Sequence, residues 1–177
     1  MINKIRYIAL IVLFLGNFQT AFAENEFFFE SKTIEYKENK NLIIAKGNVK
    51  ITSTDSLVIL ADESKYFKLS DELFLEGNVK IIDNEKDIVI ESNKIEYNKN
   101  IQLIKSVPVT KIKIKNNYVI TTSNLKYLRL KKILSSDGKT TLKDKSDNKL
   151  ESPNFIYFTD TKKFKTKNLK IIDKDLN

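Results

Sequence analysis

The sequence predicts an all-β protein built from repeats of about 30 residues that share one core. Three observations carry this. A tyrosine returns at Tyr36, Tyr66, Tyr97, Tyr127 and Tyr157, at intervals of 30, 31, 30 and 30 residues. Eleven residues after each comes a residue typical of turns: Gly47, Gly77, Pro108, Gly138 and Asn168. Between these markers apolar residues recur at every second position, which places them on one face of a strand. One such unit holds too few side chains to bury a core alone, so successive units must stack.

The elements follow one plan in each unit: a strand to the tyrosine, a polar turn, a strand to the glycine position, and a third extended piece. In unit one Ile34 and Tyr36 alternate with Thr33 and Glu35, and Val49 and Ile51 flank Lys50. In unit two Val79 and Ile81 flank Lys80; in unit three Ile112 and Ile114 sit among Lys111, Lys113 and Lys115. Unit four opens "ITTSNLKYLRLKKILSSDGKTTL", and in unit five Phe155 and Tyr157 flank Ile156. The enrichment in Ile, Val, Tyr, Phe and Thr agrees with strands. Of the two prolines, Pro108 occupies a glycine position, as suits an edge or bend. Ten or more short antiparallel strands and almost no helix are expected. Leu57–Ala61, Leu73–Leu75 and Ile88–Ile90 are apolar on both faces, so two sheets should face each other and something further should cover the remainder.

Residues 1–23 read as a cleaved signal peptide. Lys4 and Arg6 precede the apolar run Tyr7–Leu15, and Ala21-Phe22-Ala23 supplies small residues at the cleavage positions. The mature domain is expected at residues 24–177, with net charge falling from +8 to +6. The chain has no cysteine and no histidine, so disulfides, thiol chemistry and the usual nucleophile–base pairs are excluded. No phosphate-binding glycine loop occurs. No cofactor and no metal are expected, and the protein is read as a non-enzyme. Asp83, Glu85 and Asp87 lie in a polar stretch that reads as a solvated turn. The strand lysines read as a solubilising outer face, the rival reading being attraction to anionic lipid. Nucleic acid is not an expected partner. The tyrosines read as packing residues with hydroxyls near a rim.

The phrases "AKGNVKI" at Ala45–Ile51 and "LEGNVKI" at Leu75–Ile81, preceded by "ADESKY" and followed by "ESNKIEY", recur in phase with the tyrosine. With the export signal and the period, they resemble the OstA-like family of lipopolysaccharide transport proteins. The resemblance implies a folded-over antiparallel sheet, the β-jellyroll or β-taco, around an apolar groove for lipid A acyl chains. The length is most like the periplasmic LptA type, with the N-terminal periplasmic domain of LptD as the close alternative. The implied location is the periplasm. The implied partners are lipopolysaccharide, LptC-like inner-membrane and LptD-like outer-membrane proteins, and further copies joined head to tail.

On alternation, the groove candidates are Ile34, Tyr36, Val49, Ile51, Leu75, Val79, Ile81, Ile90, Tyr97, Ile112, Ile114, Phe155 and Tyr157. The candidates for assembly edges are Phe27 and Phe29 in the first strand and Leu169 and Ile171 in the last. The competing reading is a scaffold with a filled interior that binds proteins through its edge strands. An open apolar trough would favour the carrier, and a closed, densely filled core the scaffold.

Overall fold

The computed structural model describes residues 27–115, 118–146, 148–168 and 170–172. Among these residues the regular structure is all strand, and sixteen strands join in one antiparallel sheet. Four long strands make its middle: β3 (Leu42–Ser53), β4 (Leu57–Phe67), β5 (Glu72–Asp83) and β6 (Ile88–Asn98). Before them, β1 (Phe27–Glu30) pairs with the second half of β3 and β2 (Thr33–Lys37) with its first half, so together they form one interrupted row. Every row after β6 is interrupted in the same way. These rows are β7 (Leu103–Ser106) with β8 (Thr110–Ile114), β9 (Tyr118–Thr122) with β10 (Leu125–Leu128), and β11 (Ile133–Ser136) with β12 (Thr140–Lys143). The last two are β13 (Lys149–Ser152) with β14 (Phe155–Phe158), and β15 (Lys163–Lys165) with β16 (Lys170–Ile172).

The interruption is a bend, and the recurring Gly-Asn phrase makes it. Lys46 pairs with Glu63 and Val49 with Ala61, so Gly47 and Asn48 together oppose Asp62 alone. Glu76 pairs with Lys94 and Val79 with Ser92, so Gly77 and Asn78 oppose Asn93 alone. An extra residue of this kind kinks a strand and tightens its twist. All four have positive φ, 77° and 52° at the first bulge and 75° and 46° at the second, a region that Gly and Asn tolerate best. The bend divides the sheet into two arms. Arm one contains β2, β7, β10, β11, β14 and β15; arm two contains β1, β8, β9, β12, β13 and β16; β3 to β6 run through both.

Each arm carries one long ladder of paired side chains on its inner face. In arm one it runs Tyr36, Ile43, Tyr66, Leu73, Tyr97, Ile104, Tyr127, Leu134, Tyr157 and Phe164. The thirty-residue tyrosine period is therefore a cross-strand alternation of tyrosine with an aliphatic, one repeat per two rows. In arm two the ladder runs Phe29, Ile51, Ile59, Ile81, Ile90, Ile112, Ile120, Leu142 and Leu150. Such directly opposed pairs are the unit of sheet stabilisation. Inside the later bends, buried Ser106, Thr110, Thr122, Ser136, Thr140 and Ser152 replace the apolar side chains. The first five bond among themselves, as in Thr122 Oγ1 to Ser136 Oγ at 2.7 Å, and Ser152 donates to the Asn154 carbonyl at 2.7 Å.

The arms do not face each other row for row. Phe27, in the first row of arm two, packs edge-on against Tyr66 of the third row of arm one at 5.2 Å, and against Tyr97 of the fifth at 6.0 Å. Asp83, in the fourth row of arm two, receives a hydrogen bond from Tyr127 in the seventh row of arm one. Arm one is therefore slipped by two to four rows. Its first row overhangs, which leaves Ile34 37% and Tyr36 58% exposed although they stand in line with buried ladder residues.

The bulges generate the first prediction. Alanine at Gly77 would hold a Cβ at φ +75° and meet the Asp62 carboxylate that accepts from Asn78 Nδ2. At Gly47 the added atom would meet only the flexible Lys32 stem. Urea denaturation should show Gly77→Ala destabilised by about 1–2 kcal/mol, and more than Gly47→Ala.

Candidate functional site

The inner faces of the two arms are the apolar site of this molecule. Of the thirteen groove candidates, eleven lie in the buried core: Val49, Ile51, Leu75, Val79, Ile81, Ile90, Tyr97, Ile112, Ile114, Phe155 and Tyr157. Ile34 and Tyr36 differ, because the slip of the arms leaves no described residue opposite them. The inner faces are in contact with each other. Ile51, Ile59, Ile81, Ile104, Ile112, Ile120, Tyr127 and Leu134 all have no exposure, so what faces the other arm here is a filled core and not an open trough. Phe27 and Phe29 of the first edge are half-buried against that core. Leu169 lies outside the described residues, and Ile171 is placed in β16 by its backbone pairing with Leu150.

The ends of the rows form two lips along the mouth opposite the bend. Arm one ends in turns 38–41, 68–71, 99–102, 129–132 and 159–162. Backbone hydrogen bonds link each to the next, from Lys68 to Asn41, Lys99 to Asp71, Arg129 to Gln102 and Thr159 to Lys132, at 2.8–3.1 Å. The last residues of the later four turns, Asp71, Gln102, Lys132 and Lys162, have positive φ, as do Glu38, Asn39 and Lys40 in the first. Arm two ends, among the described residues, in turns at 54–56, 84–87, 115 and 144–146.

Polar side chains close this mouth at two places. Near the first edge, Tyr66 donates from its hydroxyl to Asp71 at 2.6 Å, Lys99 lies 3.6 Å from Asp71, and the same ammonium stands 5.7 Å over the Phe27 ring. Further along, Arg129 of the arm-one lip crosses to arm two. Its Nε donates to Asp83 at 2.9 Å, its Nη1 pairs with Asp55, and its Nη2 donates to the Asp55 carbonyl at 3.0 Å. Tyr127 adds its hydroxyl to Asp83 at 2.9 Å. Asp83 is thus not in a solvated turn: its side chain is 1% exposed, and only Glu85 and Asp87 remain at the surface. A strand-end aspartate and an arginine 46 residues away carry no local pattern that would join them.

Burial shapes the electrostatics of this closure. Burial pulls the Arg129 guanidinium down, but hydrogen bonds and charge from Asp83 and then Asp55 overcome it and hold the pKa above the ordinary value. Burial and the Asp83 charge push the Tyr127 phenol up. Burial first, then the Asp55 charge, pushes Tyr97 up to about 12. Outside, ordinary surface pairs such as Lys113 with Glu91 at 2.9 Å decorate the strands, and the Lys113 hydrogen bond lowers the Glu91 pKa.

No family model matches the chain, and no curated protein matches it. Among solved structures it is similar to LptH of Pseudomonas aeruginosa, the LptA-homologous periplasmic component of the lipopolysaccharide transport device. The two share 7% identity over 84% of this chain and 95% of that one, with a TM-score of 0.34. A likeness this loose decides nothing about function.

The closure yields two predictions. Arg129→Leu leaves Asp83 charged, buried and without its cation, and should cost about 3–5 kcal/mol in urea denaturation. Adding Asp83→Asn should recover much of that loss, because the stranded charge is gone while Tyr127 keeps an acceptor. For Tyr97, the fold favours the neutral phenol, so its contribution is complete below pH 10 and is lost as pH rises toward 12. The stability difference between wild type and Tyr97→Phe should therefore shrink by about 2–3 kcal/mol across that window.

Proposed function

We propose that the protein is a periplasmic, OstA-like carrier that holds the acyl chains of lipopolysaccharide between its two arms on the way from inner to outer membrane. The observation that carries this reading is that the sheet is folded and not closed. Among the described residues its first row pairs only with β3, and its last strands β15 and β16 each pair on one side, so no backbone ladder joins the arms across the mouth. The arms can part at the cost of side-chain contacts alone. Acyl chains can then replace those contacts like for like, and each CH₂ removed from water is worth roughly 0.8 kcal/mol. The repeated "GNVKI" phrases supply the resemblance to the lipopolysaccharide transport proteins. No nucleotide-binding loop is visible, so directional flow would be driven by a partner.

The slip of the arms supports head-to-tail assembly. Among the described residues, the first row of arm one, with Ile34 and Tyr36, lacks an opposing row, and both end rows present unpaired backbone groups. A second copy, or a related domain in an LptC-like or LptD-like protein, would extend the ladders and cover the overhang. Such heterologous contacts do not close on themselves and give open chains.

The filled interior favours a second reading, a scaffold that never opens. In-cell photo-crosslinking separates the two. A crosslinker at Ile51, Val79 or Ile112 should capture lipopolysaccharide, and one at Lys50 or Lys80 far less. No capture from the inner positions, or equal capture from both faces, would leave the scaffold standing.

A further inference from the structure

The two lips of the mouth differ in chemistry. The arm-one turns carry an exposed aliphatic at three successive tips: Leu69 at 84%, Ile101 at 51% and Leu130 at 63% exposure. The described residues of the arm-two turns, 54–56, 84–87, 115, 144–146 and 148, include no apolar residue. Charge follows the same division. The arm-one turns hold seven basic and three acidic residues, and the described residues of the arm-two turns three basic and four acidic. Arg129 and Lys99 are engaged in the closure, but Lys68, Lys131 and Lys132 stand directly beside the apolar tips.

The backbone links between turns fix these tips along one line. Neighbouring turns are two strand spacings apart, about 10 Å. Three aliphatics at that spacing on a projecting edge make neither a groove nor the contiguous apolar patch that a protein interface buries at its centre. Single apolar side chains with lysines at their base, on one edge of a rigid sheet, match the boundary between phosphate headgroups and acyl chains. There the aliphatic enters the hydrocarbon and the ammonium meets the phosphate. The apolar edge continues a short way down the outer face through Phe67 and Phe74, whose rings meet edge-on at 5.7 Å.

We infer that the arm-one lip is a membrane-docking edge, whose partner is the surface of an anionic phospholipid bilayer and whose anchors are Leu69, Ile101 and Leu130. Docking on this lip turns the mouth toward the bilayer. It also places the Leu130 anchor next to Arg129, the residue that bridges the lips.

The test uses the protein as the cell matures it, its N-terminus established by sequencing. The vesicles are phosphatidylcholine with or without phosphatidylglycerol, and contain no lipopolysaccharide, so the result is independent of the carrier reading. Wild type should partition onto the anionic vesicles. Leu69→Asn, Ile101→Asn and Leu130→Asn combined should lower the partition coefficient at least about tenfold. Lys131→Gln with Lys132→Gln should weaken binding to the anionic vesicles alone and reduce its salt dependence. The chain has no tryptophan, so Leu130→Trp reports directly: its emission should shift to the blue on binding. This second readout also stands if the triple variant fails to fold. No vesicle binding by wild type, unaltered binding by a folded triple variant, or unmoved Leu130→Trp emission would overturn the inference.

Discussion

The extra residue at Gly47–Asn48, repeated at Gly77–Asn78, is the constraint on which the interior depends. Side chains on a strand alternate with a period of two, so a flat sheet of these rows would bury one face at most. Kinking each row at the same point lays the sheet's inner face against itself. The tyrosine–aliphatic ladder of arm one then meets the isoleucine ladder of arm two. The later rows reach the same geometry by breaking each strand in two around Pro108, Gly138 and Asn168. There the inside of the bend is lined by buried hydroxyls that bond mostly to each other.

Much of this was legible in the sequence, because it rests on local chemistry. Alternation assigned Val49, Ile51, Val79, Ile81, Ile112 and Phe155 to the interior, and the tyrosine period marked the arm-one ladder. The rest depends on how the arms sit together, which no local pattern encodes. Ile34 and Tyr36 share the alternation of their neighbours but stand on an overhang created by the slip. Asp83 reads as part of a polar turn with Glu85 and Asp87, yet it ends β5 on the inner face and meets Arg129 from a lip three rows away. The signal was a lone arginine among lysines in turn 129–132, the residue type best suited to a buried, multiply bonded carboxylate pair.

Closure and the proposed carriage would draw on the same physics. The core is full, so any acyl chain must displace side chains that already bury one another, and the exchange is close to balanced. What holds the resting state is then the work at the mouth: Arg129 with Asp83 and Asp55, and Lys99 over the Phe27 ring. Buried ion pairs fix geometry better than they add stability, which would suit the definite but reversible closure that the proposed carrier role requires. The difference between the lips gives that closure an orientation, with its aliphatic and basic side on arm one.

The central claim is that the arms part at the mouth to admit lipid. The chain has no native cysteine, so spin labels can be placed at Lys132 on one lip and Glu85 on the other. These positions border one cleft, of about 290 Å³, at the Arg129 closure. Pulsed electron-spin measurements of the label separation should give one short, narrow distribution for the free protein. Purified lipopolysaccharide should produce a longer and broader one. A distribution that stays short and narrow at saturating lipopolysaccharide would contradict the account.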